Sequence, residues 1–211
     1  MTDDQDMVAR VRAATALRRL SHAIVSHDVP ASTFDEITAG VESWLPTVES
    51  EPGRSRSIDT MKQHMFERPP EGAPIGTFPD CVVSGDANPM GLDVQFFREG
   101  DEAVSRCVLG PAFEGAPNRA HGGVVAAVFD DLMGFVLTIH ESPAYTAELT
   151  VRYKRPTPVG EEIEFRARLV DRNGRRLHIE AEAVDNTGTK IATAAGLFIT
   201  IPRENFDSRD A

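Results

Sequence analysis

The hydrophobic positions of this sequence keep one period over its first fifty residues and another after Gly91, with neither in between. Between Asp6 and Ser26, Val8, Val11, Leu17, Leu20, Ile24 and Val25 recur at three- to four-residue spacings, which predicts an amphipathic helix that Pro30 stops. Thr33 with Glu36 three residues on has the spacing of a capping box. Ile37, Val41, Trp44 and Leu45 then line one stripe, which predicts a second helix ended by Pro46. Residues 50–80 hold five prolines and three glycines and read as an irregular connection, with at most a short helix near 58–66. A connection of this length either wraps across the following domain or is mobile, and both readings stay open.

From Gly91 the period becomes two. Leu92, Val94 and Phe96 alternate with Asp93, Gln95 and Phe97, Glu99-Gly100-Asp101-Glu102 makes a turn, and Val104, Arg106 and Val108 continue as a second strand. One helical segment over roughly 120–139 follows, then four strand-like runs at 145–154, 161–171, 175–185 and 189–201. Their connectors are Pro156-Thr-Pro-Val-Gly160, Asn173-Gly174, which is a hairpin signal, and Asn186-Thr-Gly188. In the third run Leu177, Ile179, Ala181 and Ala183 face one side and Arg176, His178, Glu180 and Glu182 the other, as in an antiparallel sheet with one covered face. Two strands, one long apolar helix and four strands predict an α+β domain, an antiparallel sheet wrapped around a central helix. The division expected is a helical N-terminal extension and connector over 1–80 and the main domain over 81–211.

Composition narrows the chemistry. The 211 residues, 41% hydrophobic and 26% charged, suit a globular protein of one sizeable domain or two small ones. A formal net charge of −11 disfavours nucleic acid, so an anionic ligand must meet a local basic patch. Cys81 and Cys107 have no metal-ligand spacing and read as free thiols in a reducing compartment. The acidic start lacks the basic and apolar regions of a secretory signal, and the run 121–139 is interrupted by Asp130 and Asp131, so no membrane span and a cytoplasmic location are expected.

There is no Gly-x-Ser-x-Gly, P-loop, Gly-x-Gly-x-x-Gly or His-Glu-x-x-His motif. The segment that stands out is Asn118-Arg-Ala-His121-Gly122-Gly123, which opens the apolar helix carrying Asp130 and Asp131. Free N–H groups and the positive dipole end at a helix start can hold a developing oxyanion, and two glycines allow close approach. Gly123 and Asp130 are two turns apart on one face, with the small residues Ala126, Ala127 and Gly134 on or beside it. Burying a carboxylate on such a stripe is costly unless something pairs with it or uses it, which marks Asp130 as a candidate. Two alternatives remain: the glycines as a plain loop-to-helix joint and Asp130 as a structural hydrogen-bonder. Asp131 shares a side with Val124, Val128 and Phe135 and reads as structural or interfacial, with the working carboxylate as its other reading. His121 reads as a helix-start histidine bonding locally rather than as a general base.

His121-Gly122-Gly123, an aspartate nine residues after the histidine, and the strand Thr146-Ala-Glu-Leu-Thr-Val-Arg-Tyr153-Lys154-Arg155-Pro156 together resemble the hotdog-fold acyl-CoA thioesterases of the PaaI-like branch. The resemblance covers about 85–202, and Gly110-Pro-Ala-Phe-Glu-Gly115 is similar to the family's approach loop. It implies hydrolysis of an acyl-CoA thioester in a site between two subunits of a homodimer or dimer of dimers, with no metal or redox cofactor. Gly122 would polarise the carbonyl through its N–H, with His121 shaping the turn. Asp130 of the facing subunit would activate water or attack directly, and Thr146 would orient the water. Gly123 would line the substrate site, and Asn118, where relatives usually carry glycine, is the candidate for a second carbonyl contact.

On the ligand side, Arg152, Lys154 and Arg155 cluster at one strand end, and Arg172, Arg175 and Arg176 surround the Asn173-Gly174 turn; either group could meet the CoA phosphates. Strict alternation puts Thr146, Thr150, Arg152 and Lys154 on one face and Leu149, Val151 and Tyr153 on the other. The rival from another class is a noncatalytic acyl-CoA-binding or regulatory hotdog module. A hydratase is weaker, for want of an Asp–His pair at hydratase-like spacing.

Overall fold

Apolar residues at 125, 128, 129, 132, 133 and 136 repeat every three to four positions, and in the computed structural model they form the buried side of one helix, α3 (Gly122–Ile139), at the centre of the molecule. The structure describes residues 2–54, 65–76 and 78–201. Around α3 curves a six-stranded antiparallel sheet of β1 (Phe97–Glu99), β2 (Glu102–Val108), β5 (Ala144–Tyr153), β6 (Glu162–Asn173), β7 (Arg176–Asp185) and β8 (Lys190–Thr200). Its order is β1-β2-β6-β7-β8-β5. The short strands β3 (Glu114–Ala116) and β4 (Arg119–Ala120) make a separate hairpin just before α3.

The core lies between the concave side of the sheet and α3. Phe129 meets Phe165 edge to face at 5.2 Å between ring centroids, and Phe96 stacks on Phe135 at 4.7 Å. Gly196 lets helix and sheet approach: a Cβ there would lie 2.8 Å from Met133 Sδ and 2.6 Å from Phe198 Cε2. The alternation expected of β7 is present, with Leu177, Ile179 and Ala183 fully buried and Arg176, His178 and Glu180 exposed. Its hairpin with β6 turns on Gly174 and Arg175, with positive φ at Gly174 alone, so glycine sits first in the loop as in a type II′ turn. Cys81 and Cys107 are free, and burial pushes the Cys107 thiol up to about 11.

Alternation fails in β5. Thr146 pairs with Phe198, but Glu148 pairs with Leu197, so Ala147 is an extra residue, a β-bulge that reverses the parity of the residues after it. Thr146 therefore faces α3 together with Leu149, Val151 and Tyr153, while Thr150 and Arg152 face the outer side of the sheet. The expected grouping of Thr146 with Arg152 is overturned by that single insertion.

The N-terminal helices α1 (Thr2–Ser26) and α2 (Ala31–Glu49) form as expected, with two corrections. In α1 the apolar stripe is only half covered: Val11, Leu20 and Ile24 are half-buried and Val8, Leu17 and Val25 exposed, whereas the fully buried residues are Ala14 and Arg18. The Arg18 guanidinium donates to the carbonyls of Asp86 and Asn88 at 2.8 Å each and pairs with Asp93 at 3.1 Å, which fastens the loop before β1 to the helix. In α2 the cap is Pro30 rather than Thr33, and Pro46 lies inside the helix. Proline removes one N–H but keeps helical φ, and the Pro46 carbonyl accepts the Ser50 N–H at 3.1 Å, so the last turn survives. The apolar stripe of α2 is uncovered, with Trp44 63% exposed. The short helix expected near 58–66 falls mostly outside the described residues. By length and composition α3 is apolar enough to cross a membrane, yet its apolar side is the core.

Candidate functional site

The start of α3 is held by everything around it except at one atom. His121 is the N-cap, and its Nδ1 accepts the Gly123 N–H at 3.0 Å, the local bond expected of it. The Val124 and Val125 N–H groups bond the His121 carbonyl. Before the helix, the Ala120 N–H bonds the Thr157 carbonyl at 3.0 Å and the His121 N–H bonds the Phe113 carbonyl at 2.8 Å. The Gly122 N–H has no acceptor among the described residues. A single uncommitted donor at the positive end of an 18-residue helix has the geometry to accept an anionic or carbonyl oxygen.

That donor borders an open cleft of about 460 Å³, lined by the Gly115–Ala116 strand, Arg119 to Gly122, and Tyr153 to Thr157. Tyr153, which alternation alone left without a role, donates its hydroxyl to the Gly122 carbonyl at 2.6 Å. A Cβ on Gly122 would stand 3.2 Å from Tyr153 Cζ, so a side chain there is tolerated only if the ring gives way. The signal available in the sequence was the tyrosine directly before Lys154-Arg155-Pro156.

Lys154 and Arg155 reach the cleft because β8 bulges at Ile191, whose carbonyl accepts both their N–H groups at 2.8 and 3.1 Å. Arg119 joins them, giving three cations with no ion-pair partner among the described residues, on a protein of net charge −11. Arg152 does not belong to this group. It lies with Thr150, Glu180 and Glu182 in a depression on the outer face of the sheet. Asn118 is also set apart: it sits at φ +60° in the β3–β4 turn, with its N–H on Glu114 Oε1 at 3.0 Å. That left-handed turn favours asparagine or glycine, which accounts for the residue type without a ligand contact. Gly123 has its N–H committed to His121 and does not line the cleft.

Asp130 and Thr146 form a second cluster. Thr146 Oγ1 donates to Asp130 Oδ1 at 3.0 Å, a contact the Ala147 bulge makes possible. Asp130 is exposed rather than buried, on a stripe with exposed Gly123, half-buried Ala126 and Ala127, and Gly134, beside which nothing lies within 4 Å of a Cβ position. The buried-carboxylate cost expected there falls on Asp131 instead, which bonds Cys81 and Ser84 and whose pKa burial raises. Asp130 is eight residues beyond Gly122, about 12 Å along the helix at 1.5 Å per residue, so one chain holds donor and carboxylate in separate places.

A six-stranded antiparallel sheet wrapped around one long helix is the hotdog fold. Residues 118–192 match the family model of the thioesterase superfamily. Acyl-coenzyme A thioesterase THEM4 of Bos taurus is 29% identical over 119 residues, 54% of this chain and 48% of its own length. THEM4 of Mus musculus is 31% identical over 93 residues, 43% of this chain and 40% of its own length. The chain thus spans about half the length of the curated relatives it matches. The crystal structure of a thioesterase superfamily protein superposes with a TM-score of 0.76 at 22% identity over 90% of both chains, a coverage that takes in the helical extension. The E. coli PaaI protein from the phenylacetic acid degradation operon gives a TM-score of 0.50 at 16% identity, over 53% of this chain and 81% of its own.

Proposed function

We propose that this protein hydrolyses an acyl-CoA thioester to the free acid and CoA, in a site completed by a second copy of the chain. The observation that carries this reading is the uncommitted Gly122 N–H at the rim of a cation-lined cleft. The Gly122 N–H would hold the thioester oxygen, while Lys154, Arg155 and Arg119 meet the CoA phosphates. A nucleophile must come within roughly 3–3.5 Å of the carbonyl carbon. The chain's own Asp130, about 12 Å up the helix, is too far, whereas the open stripe around it can lie against another protomer. The Asp130 carboxylate, bonded to Thr146, takes the proton from an attacking water. The carbonyl carbon gains the water oxygen, the C–S bond breaks, and the CoA thiolate leaves and is protonated. Direct attack by Asp130 gives the same products through an anhydride, and ¹⁸O from water found in the Asp130 carboxylate after a single turnover would mark that route, because only an anhydride opened by water at the Asp130 carbon labels the enzyme.

The test is thiol release from acyl-CoAs of short, long and aromatic chain, with wild type beside Asp130→Asn. The expected result is turnover by wild type and a maximal rate at least about a hundredfold lower in the variant, the loss typical of a missing general base. Saturable acyl-CoA binding with no thiol release from any substrate would replace the hydrolase with the binding module.

A further inference from the structure

The helical extension carries none of the motif, yet it touches the loop on which the oxyanion turn hangs. His22 of α1 lays its ring against the 3₁₀ turn Pro111–Phe113: Nδ1 accepts the Ala112 N–H at 3.0 Å, and the ring meets Phe113 edge to face at 5.0 Å between centroids. The fit is close at Gly110, where a Cβ would lie 2.5 Å from the imidazole. One residue after Ala112, the Phe113 carbonyl accepts the His121 N–H at 2.8 Å, and His121 caps the helix whose first residue is Gly122. Next in the chain, β3 passes so near that a Cβ on Gly115 would lie 2.9 Å from His121 Cα. Three bonded steps therefore join α1 to the free donor: His22 to Ala112, Phe113 to His121, and His121 to the Gly122 peptide.

We propose that His22 is a positioning residue for the Gly122 donor, so that α1 is a working part of the site and not an appendage. The proposal rests on the thioester-hydrolysis reading for its effect on rate, but the brace itself is a property of the fold. A backbone N–H points at Nδ1, so the ring must present a lone pair there, with its proton on Nε2. A second proton on the ring would set donor against donor. The 110–113 turn facing the ring holds no titratable group, and burial of the ring first, then the charge of Arg18 on α1, disfavour the cation.

The experiment compares His22→Phe, which keeps an aromatic body without an acceptor, with His22→Asn, whose side-chain oxygen can take the place of Nδ1. Two readouts are taken on the full chain: acyl-CoA hydrolysis, and hydrogen exchange of the amides in 110–123. For His22→Phe the amides of Ala112 and His121 are expected to exchange about tenfold faster, with β6 and β7 unchanged, as for a local opening. The maximal rate is expected to fall about five- to twentyfold with little change in KM, and His22→Asn to restore both. Unchanged exchange in 110–123 would overturn the brace. Faster exchange with an unchanged rate would overturn its role in positioning the donor. If wild type released no thiol from any substrate, the hydrolase reading would fail by itself, and exchange would still decide whether the brace exists.

Discussion

The Tyr153 hydroxyl and the Gly122 carbonyl lie 2.6 Å apart, a bond that ties the last residue of β5 to the first residue of α3. A glycine opening a helix has little of its own to hold it, and this bond, with the ring packed on Gly122, supplies what the missing side chain cannot. Tyr153→Phe keeps the ring and removes the bond. The expected outcome is a maximal rate lower by about tenfold, the equivalent of one hydrogen bond of about 1.4 kcal/mol, with KM changed less than twofold. Steady-state kinetics check it, and a rise in KM alone would assign Tyr153 to ligand binding instead.

The separation of Gly122 and Asp130 on one helix makes a prediction about mixtures. Asp130→Asn and Gly122→Ala protomers are each expected to be nearly inactive. Refolded together in equal amounts, about half the dimers are mixed and each mixed dimer has one intact site of two, so about a quarter of wild-type activity returns. No recovery in a mixture shown by mass spectrometry to contain mixed dimers would place donor and carboxylate on the same chain.

The cations divide by face. Lys154→Ala and Arg155→Ala are expected to raise KM for acyl-CoA by about fivefold or more, in line with a charge-assisted phosphate contact, with little change in maximal rate. Arg152→Ala, on the outer side of the sheet, is expected to leave KM unchanged. The same three variants assayed on an acyl thioester lacking the nucleotide should be indistinguishable.

Asp131 carries a stability prediction. Burial raises its pKa, so the folded state binds its proton more tightly than the unfolded chain does. That contribution is full below the ordinary aspartate value and is lost as pH rises through the raised value. At neutral pH the ionised side chain therefore weakens the fold, and Asp131→Asn is expected to raise Tm at pH 7 by a few degrees, with the gain shrinking toward pH 4. Thermal melts across that range test the sign, and a lower Tm at pH 7 would show that the Cys81 and Ser84 contacts depend on the charge.

The long elements were legible because each repeats one period against one partner: α3 and the strands β6, β7 and β8 sit within a few residues of where the apolar spacing puts them. The His121-Gly122 turn and the Asp130–Thr146 contact fall at the motifs that resemble those of the thioesterases. What alternation could not show is the effect of a single extra residue. Ala147 turns Thr146 toward the helix, and Ile191 aims Lys154 and Arg155 at the cleft, and neither residue looks unusual in the chain. Arg18 was hidden for another reason, since a guanidinium is buried only where distant carbonyls converge on it, and those of Asp86 and Asn88 lie some seventy residues on. Tyr153 was placed on the correct side of β5, but its bond to Gly122 depends on how the strand crosses the helix start.

The bulge at Ala147 also makes β5 a ruler. Thr146 near its start bonds Asp130, and Tyr153 at its end bonds the Gly122 carbonyl; in the dimer proposed above, these two ends belong to different sites. The six residues between them then set the distance between two reactions. Gaining or losing one residue after Ala147 would re-aim one end while sparing the other, so the length of this strand is under tighter constraint than the identity of its outward-facing side chains.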